Sequence, residues 1–353
     1  MLKRYKKWRQ FSSLMLLALG AVLTLSLMCS TQATNLNLRS LAQKQGLNIG
    51  AAVLTGVLQK EPTYRRVLAR EFNMLTPENH MKFKPLHPER DRYDFAPADV
   101  LVDFAKENDM QVRGHTLVWH HSLPEWLEKG EWTREELMAI LQEHIYTVVE
   151  RYRGQVVEWD VVNEAIADDA SLRKSIWLNV IGSDYIEMAF RWAHEADPTV
   201  KLFYNDYGSE GINSKSDAIY ALVKSLRDRH VPIDGVGLQM HVRADKPPSA
   251  EKVAANMKRL GELGLEVHIT EMDVKIEHAT GTLEEKLTAQ ANVYRDMMQV
   301  CLTAENCDTF VLWGFTDLHS WIPRYLKQPD SPLIFDKFYN PKPAYDALVE
   351  VLN

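Results

Sequence analysis

Two glutamates sit where apolar, β-branched runs turn polar. Glu164 lies beside Asn163 near the end of WDVVNEA (159–165), and Glu271 lies in HITEMDV (268–274). No Lys or Arg neighbours Glu164 in the sequence. Two carboxyl groups facing each other across a cleft are the equipment of glycoside hydrolysis. One is protonated to help the leaving oxygen depart; the other is ionised to stabilise positive character at the anomeric carbon. Other residues could hold a sugar ring. Trp119, Trp313 and Trp321 offer flat apolar faces to C–H edges, and Glu78, Asn79, Lys82, His115 and Gln239 offer hydrogen-bond partners to hydroxyls. Taken singly, each has a plainer reading. A Trp can be core, a strand His a satisfied structural group, and Glu78–Lys82 an i,i+4 ion pair worth little. Asp160 shares strand parity with Glu164 and reads as hydrogen-bonded support, because an unpaired charge inside the fold is costly.

Other chemistries fit less well. There is no HExxH and no His-x-His on the first run, and His115, His120 and His121 do not share strand parity, so no catalytic metal is expected. No GxSxG places a serine at a sharp turn. No GxGxxG or P-loop marks a nucleotide or other cofactor site.

The elements that must position these residues recur along the chain. Strand-like runs at 47–53, 71–78, 111–119, 156–164, 201–207, 235–242, 266–274 and 310–317 alternate with charge-rich amphipathic stretches such as 133–153 and 282–304, and 341–352 reads as a last helix. Eight such units predict an α/β fold, a (β/α)8 TIM barrel in a single domain. An open doubly wound sheet is the rival. Chemistry in a barrel sits at the C-terminal ends of its strands, and there the polar residues gather: Glu78 and Asn79; His115 and Trp119; Asn163 and Glu164; Asn205, Asp206 and Tyr207; Gln239 and His241; His268, Glu271 and Asp273; Trp313 and Asp317.

With 353 residues, 46% of them hydrophobic, the chain can build a sizeable core, and a formal net charge of −7 without a basic stripe argues against nucleic acid. Residues 1–33 stand apart. Lys3, Arg4, Lys6, Lys7 and Arg9 precede an apolar stretch at 14–28 and then small residues, the pattern of a secretory signal peptide cut after Ala33. The expected layout is therefore a signal at 1–33 and a catalytic domain at 34–353, secreted or periplasmic, without a membrane partner once cut. A signal anchor, or a lipoprotein through Cys29, is the alternative. Cys301 and Cys307 then form an even pair in an exported chain, open to a disulfide or to two free thiols. A monomer is the default expectation.

Several stretches, in order, resemble glycoside hydrolase family 10, the endo-β-1,4-xylanases: LTPENHMKF (75–83), GHTLVWH (114–120), WDVVNEA, LFYNDY (202–207), GVGLQMH (235–241), HITEMDV and LWGFTDLHSWIP (312–323). The likeness spans roughly residues 40–352. It implies a retaining enzyme acting on xylan and xylo-oligosaccharides without a cofactor, with Glu164 as acid/base and Glu271 as nucleophile. Asn163 would bond the sugar 2-hydroxyl, His241 would bond Glu271, and Asp273 would orient His241. Glu78, Asn79, Lys82, His115, Trp119, Gln239, Trp313 and Trp321 would form the glycone-side subsites. A Cys301–Cys307 disulfide is also implied. In that mechanism an ionised Glu271 keeps the proton on Glu164, and once Glu271 is esterified that charge is gone and Glu164 can activate water. One departure stands out: RYLKQPDSPLIF (324–335) lacks the glycine often found there in the family.

Overall fold

A computed structural model describes residues 37–353, so the signal, anchor and Cys29 readings lie outside the described residues. The strands are β1 (Asn48–Val53), β2 (Met74–Pro77), β3 (Gln111–Val118), β4 (Glu158–Asn163), β5 (Lys201–Asp206), β6 (Gly235–Leu238), β7 (His241–Arg243), β8 (Glu266–Lys275) and β9 (Thr309–Leu312). They pair in parallel in the order β1–β2–β3–β4–β5–β6–β8–β9, and β9 returns to β1 to close the barrel. The open-sheet rival is thereby excluded. Among the described residues, no helix is long and apolar enough to cross a membrane.

Two predicted strands are corrected. The run 235–242 breaks at Gln239–Met240, where Met240 has φ +65°, and resumes as β7 alongside β8. The run 310–317 ends as a strand at Leu312. Gly314 (φ +100°) turns the chain there, so Trp313 and Asp317 belong to the loop that follows.

The helices begin where their caps predict. Thr133 and Glu136 form a capping box at the start of Arg134–Arg151, as Thr282 and Glu285 do for Leu283–Thr303. Pro343 opens the last helix, where its missing N–H costs nothing. Buried Glu71 ties the first and last helices of the described residues together: it accepts from Leu38 N–H (3.0 Å) and Tyr345 Oη–H (3.0 Å). Cys301 and Cys307 are joined in a disulfide.

Inside the barrel the strands pack through side chains of contrasting size. A Cβ on Gly114 would lie 2.2 Å from the Trp159 ring, so only glycine lets that indole fill the space. Below the mouth lies an ion cluster rather than an all-apolar floor. Arg113 is fully buried, with its guanidinium 4.6 Å from the Phe203 ring centroid. It donates to Asp160 Oδ1 at 2.5 Å and pairs with Glu158. Asp160 is therefore ion-paired, not merely hydrogen-bonded as expected. Burial would raise its carboxyl, but Arg113 and His115 hold it below its ordinary value. His268 stands 3.3 Å from Glu158 and 2.9 Å from Asp308. Burial alone would lower its pKa, yet these carboxylates push it up to about 10. Glu158, His268 and Asp308 are close enough to suggest a metal cluster. The Arg113 guanidinium also pairs with Glu158 and stands 3.2 Å from His268 Nδ1, which makes the trio part of the ion network.

Replacing Arg113 with Ala leaves buried Asp160 without its guanidinium and Glu158 with His268 alone, and is expected to cost about 3–5 kcal/mol of stability in urea denaturation. A loss under about 1 kcal/mol would mean that the acids are neutralised by other means.

Candidate active site

The site is built at the strand ends from the backbone outward. Glu164, the first residue past β4, has φ +57°, a conformation disfavoured for a side chain of its kind. Two bonds hold it there: its N–H donates to the Asn205 carbonyl (2.8 Å), and its own carbonyl accepts from Arg173 Nε (2.7 Å). This turn aims the carboxyl into the barrel mouth. Its Oε1 accepts from Asn163 Nδ2 (3.1 Å) and Gln239 Nε2 (3.0 Å), both neutral amides. The sequence around Glu164 has no cation, but the fold brings Arg173 to its backbone.

Glu271, on β8, faces the same space. Its Oε1 accepts from Asn205 Nδ2 at 2.6 Å and its Oε2 is 3.2 Å from His241 Nε2. His241 in turn meets Asp273 Oδ2 through Nδ1 at 2.9 Å, and the same oxygen accepts from Trp321 Nε1 at 2.9 Å. Burial would lower His241, but the charges of Asp273 and Glu271 and their hydrogen bonds push it up to about 10. His241 is thus a cation that donates to an acid on either side.

Asn205 joins the two halves. Besides Glu271, its amide donates to Asn163 Oδ1 (2.9 Å), which also accepts from Gln239 Nε2 (3.2 Å). Thr270 Oγ1 donates to Asn205 Oδ1 (2.7 Å) and so fixes which way the amide points. Gly237 makes the room, because a Cβ there would fall 2.1 Å from Asn205 Oδ1.

Around this core lies a cavity of about 480 Å³, lined by Lys82, His115, Trp119, Asn163, Glu164, Gln239, His241, Glu271, Trp313 and Trp321 among others. The Lys82 ammonium stands 5.0 Å from the Trp119 ring and 5.8 Å from Trp313. Residues 78–82 form a turn, not a helix, so the helical ion pair considered for Glu78 and Lys82 is not what places them. Glu78 lies just behind the lining; burial raises it to about 7, against the pull of Lys82 and Asn79. His115 meets Trp313 edge-on at 5.1 Å and bonds Asp160 at 2.9 Å, which links the cavity to the ion cluster below.

Sequence reasoning missed several residues of the site, Asn205 behind the cavity and others on its wall. Asn205 was visible as a polar strand end, but nothing local singled it out as the bridge. His120, Arg173, Tyr207, Lys275 and Tyr325 also line the cavity. Arg173 comes from an irregular segment and Tyr325 from a helix of five residues, too short for periodicity to point inward. The glycine-free stretch becomes a short helix, Ile322–Leu326, that ends on left-handed Lys327 (φ +57°). It sets the exposed Tyr325 ring 5.0 Å from Trp321.

The family model for glycosyl hydrolase family 10 matches residues 37–351. The chain is 46% identical to endo-1,4-beta-xylanase B of Thermotoga neapolitana, over 96% of each chain. It is 41% identical to the beta-1,4-xylanase of Dictyoglomus thermophilum, over 97% of this chain and 99% of that one. The crystal structure of xylanase 10B from Thermotoga petrophila RKU-1 in complex with xylobiose superposes with a TM-score of 0.88 at 46% identity, covering 90% of this chain and 97% of the other.

Two outcomes follow from the geometry. Asn205→Ala removes a donor from a buried charged group, a loss of about 1.5–3 kcal/mol, so kcat is expected to fall roughly ten- to hundredfold with KM little changed. An unaltered kcat would show that the bridge is dispensable. His241 titrates near 10 when folded, above the roughly 6.5 of a free imidazole. Its stabilising contribution is therefore full below about pH 6.5 and lost as pH rises through about 10. His268 shares this window, so the parent is compared with His241→Gln: thermal midpoints should fall more steeply from pH 7 to 10 in the parent. Parallel curves would rule out the charged His241.

Proposed function

The chain belongs to glycosyl hydrolase family 10, and from that premise we propose how its residues cleave xylan. It is an endo-β-1,4-xylanase that hydrolyses internal β-1,4-xylosidic linkages with retention of configuration. Glu271 attacks the anomeric carbon while Glu164 gives its proton to the departing oxygen. Water, deprotonated by Glu164, then releases the sugar from the glycosyl ester. The observation that carries this division of labour is the difference between the two carboxyls' partners. Glu164 Oε1 accepts from neutral amides, whereas Glu271 accepts from an amide and an imidazolium. A group that must arrive protonated has neutral neighbours, and one that must stay ionised has a cation.

The subsite roles follow. Asn163 takes the sugar 2-hydroxyl beside Glu271. Lys82, His115, Trp119, Gln239, Trp313 and Trp321 hold the glycone, with Glu78 and Asn79 reinforcing Lys82 from behind. Asp273 and Asp160 act through His241 and His115. We also propose that the enzyme is exported as a monomer; the basic-then-apolar pattern at 1–33 and the disulfide support export.

Reducing-end release from xylan should exceed that from carboxymethylcellulose, and the first-formed product should show retention by proton NMR. Equal or greater activity on the cellulose would overturn the xylanase reading. Glu271→Ala should abolish turnover on every substrate. Glu164→Ala should still form the glycosyl-enzyme from aryl xylosides with very good leaving groups; an equal loss on both kinds of substrate would overturn the assignment.

A further inference from the structure

Two acids that the mechanism does not use meet beside the catalytic cavity. Glu277 lies two residues past β8, and Asp330 lies in the glycine-free stretch after the helix Ile322–Leu326. The Glu277 side chain is 7% exposed. Its Oε2 and the Oδ2 of Asp330 are both buried with no donor beside them. The two carboxyls are within hydrogen-bonding reach of each other. Among the described residues, neither has an Arg or Lys ion-pair partner. The cations that face them are committed elsewhere or stand in water. Arg243 on β7 is paired with Asp245 (2.7 Å). Lys342, just before the last helix, pairs with Asp317 (2.9 Å) and donates to the carbonyls of Ser331 (2.7 Å) and Leu333 (2.6 Å). His278 stands 3.4 Å from Glu277 Oε1, but its side chain is 53% exposed. Two ionised carboxylates this close and out of water repel each other, whereas one shared proton turns the contact into a hydrogen bond. Burial first, and then the bond to Glu277, push Asp330 up to about 7, against the pull of the Ile276 and Ser331 N–H groups.

Asp330 stands where an exposed arm meets a fixed stretch. Its Oδ1 accepts from the N–H groups of Ile276 (3.0 Å), just past β8, and Ser331 (2.7 Å). The residues after it are firmly held: Gln290 Nε2 donates to the carbonyls of Ser331 (2.7 Å) and Val274 (2.8 Å), and Tyr294 Oη donates to that of Pro332 (2.8 Å). The residues before it, Arg324, Tyr325 and 327–329, are exposed. Tyr325 on this arm and Lys275 at the end of β8 both line the catalytic cavity. The acid pair therefore joins two pieces of the cavity wall.

We propose that Glu277 and Asp330 are a proton-held latch: a single proton between the two carboxyls fastens the 322–330 arm to the end of β8, and its loss lets that wall of the cavity loosen. Fastened, Asp330 keeps its proton up to about pH 7; once the arm lifts and water reaches it, the carboxyl titrates near its ordinary value of about 3.9. The fastened state is thus favoured most below about pH 4, and that preference is lost as pH rises to about 7. Glu164 and Glu271 are set by Asn205 and do not ride on the arm. The latch acts on how firmly substrate is held, not on the chemistry.

Hydrogen exchange of the 322–330 amides reads the arm directly, as the ratio of parent to Glu277→Gln at each pH, so that the intrinsic pH dependence of exchange cancels. In Glu277→Gln the side-chain amide donates to ionised Asp330 at every pH, and Asp330→Asn, donating from the other side, should behave alike. The exchange ratio should climb about three- to tenfold between about pH 5 and pH 8, and the parent's KM for xylo-oligosaccharides should rise by a similar factor relative to either variant, with the kcat ratio unchanged. A flat exchange ratio, a KM step that persists in both variants, or an exchange step without a KM step overturns the proposal. Protection restored at pH 8 by added calcium would assign the pair to a metal ion and overturn it too. Only the KM arm rests on the xylanase reading: an exchange step in a protein that cleaves no xylan at any pH would overturn that reading and leave the proton-held contact standing.

Discussion

The 2.6 Å hydrogen bond from Asn205 to Glu271 is the contact on which the site's geometry turns. Its amide group also fixes Asn163, and Asn205's backbone carbonyl anchors the left-handed Glu164. One residue thus sets the nucleophile, the neighbour of the acid and the backbone of the acid itself. Such a hub works only if it cannot rotate. Thr270 from β8 holds its oxygen, and bare Gly237 from β6 leaves no slack around it. Three adjacent strands therefore have to stay in register, β5 with β6 and β6 with β8.

That register depends on what lies deeper. Arg113 crosses from β3 to the acids of β4, and His268 reaches from β8 to Glu158 and Asp308. A buried ion cluster of this kind adds little net stability compared with an apolar filling. It is directional, though, and charged groups penalise a slipped strand more sharply than methyl groups do. His115 carries this order upward, bonded to Asp160 below and edge-on to Trp313 above. The strain at Glu164, of order 1–3 kcal/mol for a non-glycine residue in this region, is tolerable because a rigid scaffold holds it.

Much of this was legible in the sequence, for an identifiable reason. Strand-end residues inherit their position from the barrel, so their place along the chain brings Glu164 and Glu271 to one mouth, while the contacts of His241 with Glu271 and Asp273 were implied by the resemblance to family 10. Residues outside the strands inherit nothing: Arg173 reaches the cavity from an irregular segment and Tyr325 from a helix of five residues, neither long enough to show a period. The ion cluster was hidden differently. Arg113 lies in QVRGHTLVW, where a lone Arg in an apolar run gives no sign whether it points to water or to the core. Its partners are 45 and 47 residues away. The break at Met240 was equally silent, since an apolar residue there only continues the strand-like run.

Three histidines show how far environment decides the chemistry of one side chain. His268 and His241 are each clasped by two or more carboxylates and driven up to about 10. His120 is driven down to about 3 by burial and by the charges of His121, Arg173 and Lys215. The barrel mouth is therefore divided. The Glu271 side carries a fixed imidazolium balanced by two acids, while the Glu164 side keeps its histidine neutral and sets its cations farther out, on Arg173's backbone contact and on Lys215. A proton donor can work there without a permanent positive charge beside its carboxyl oxygens.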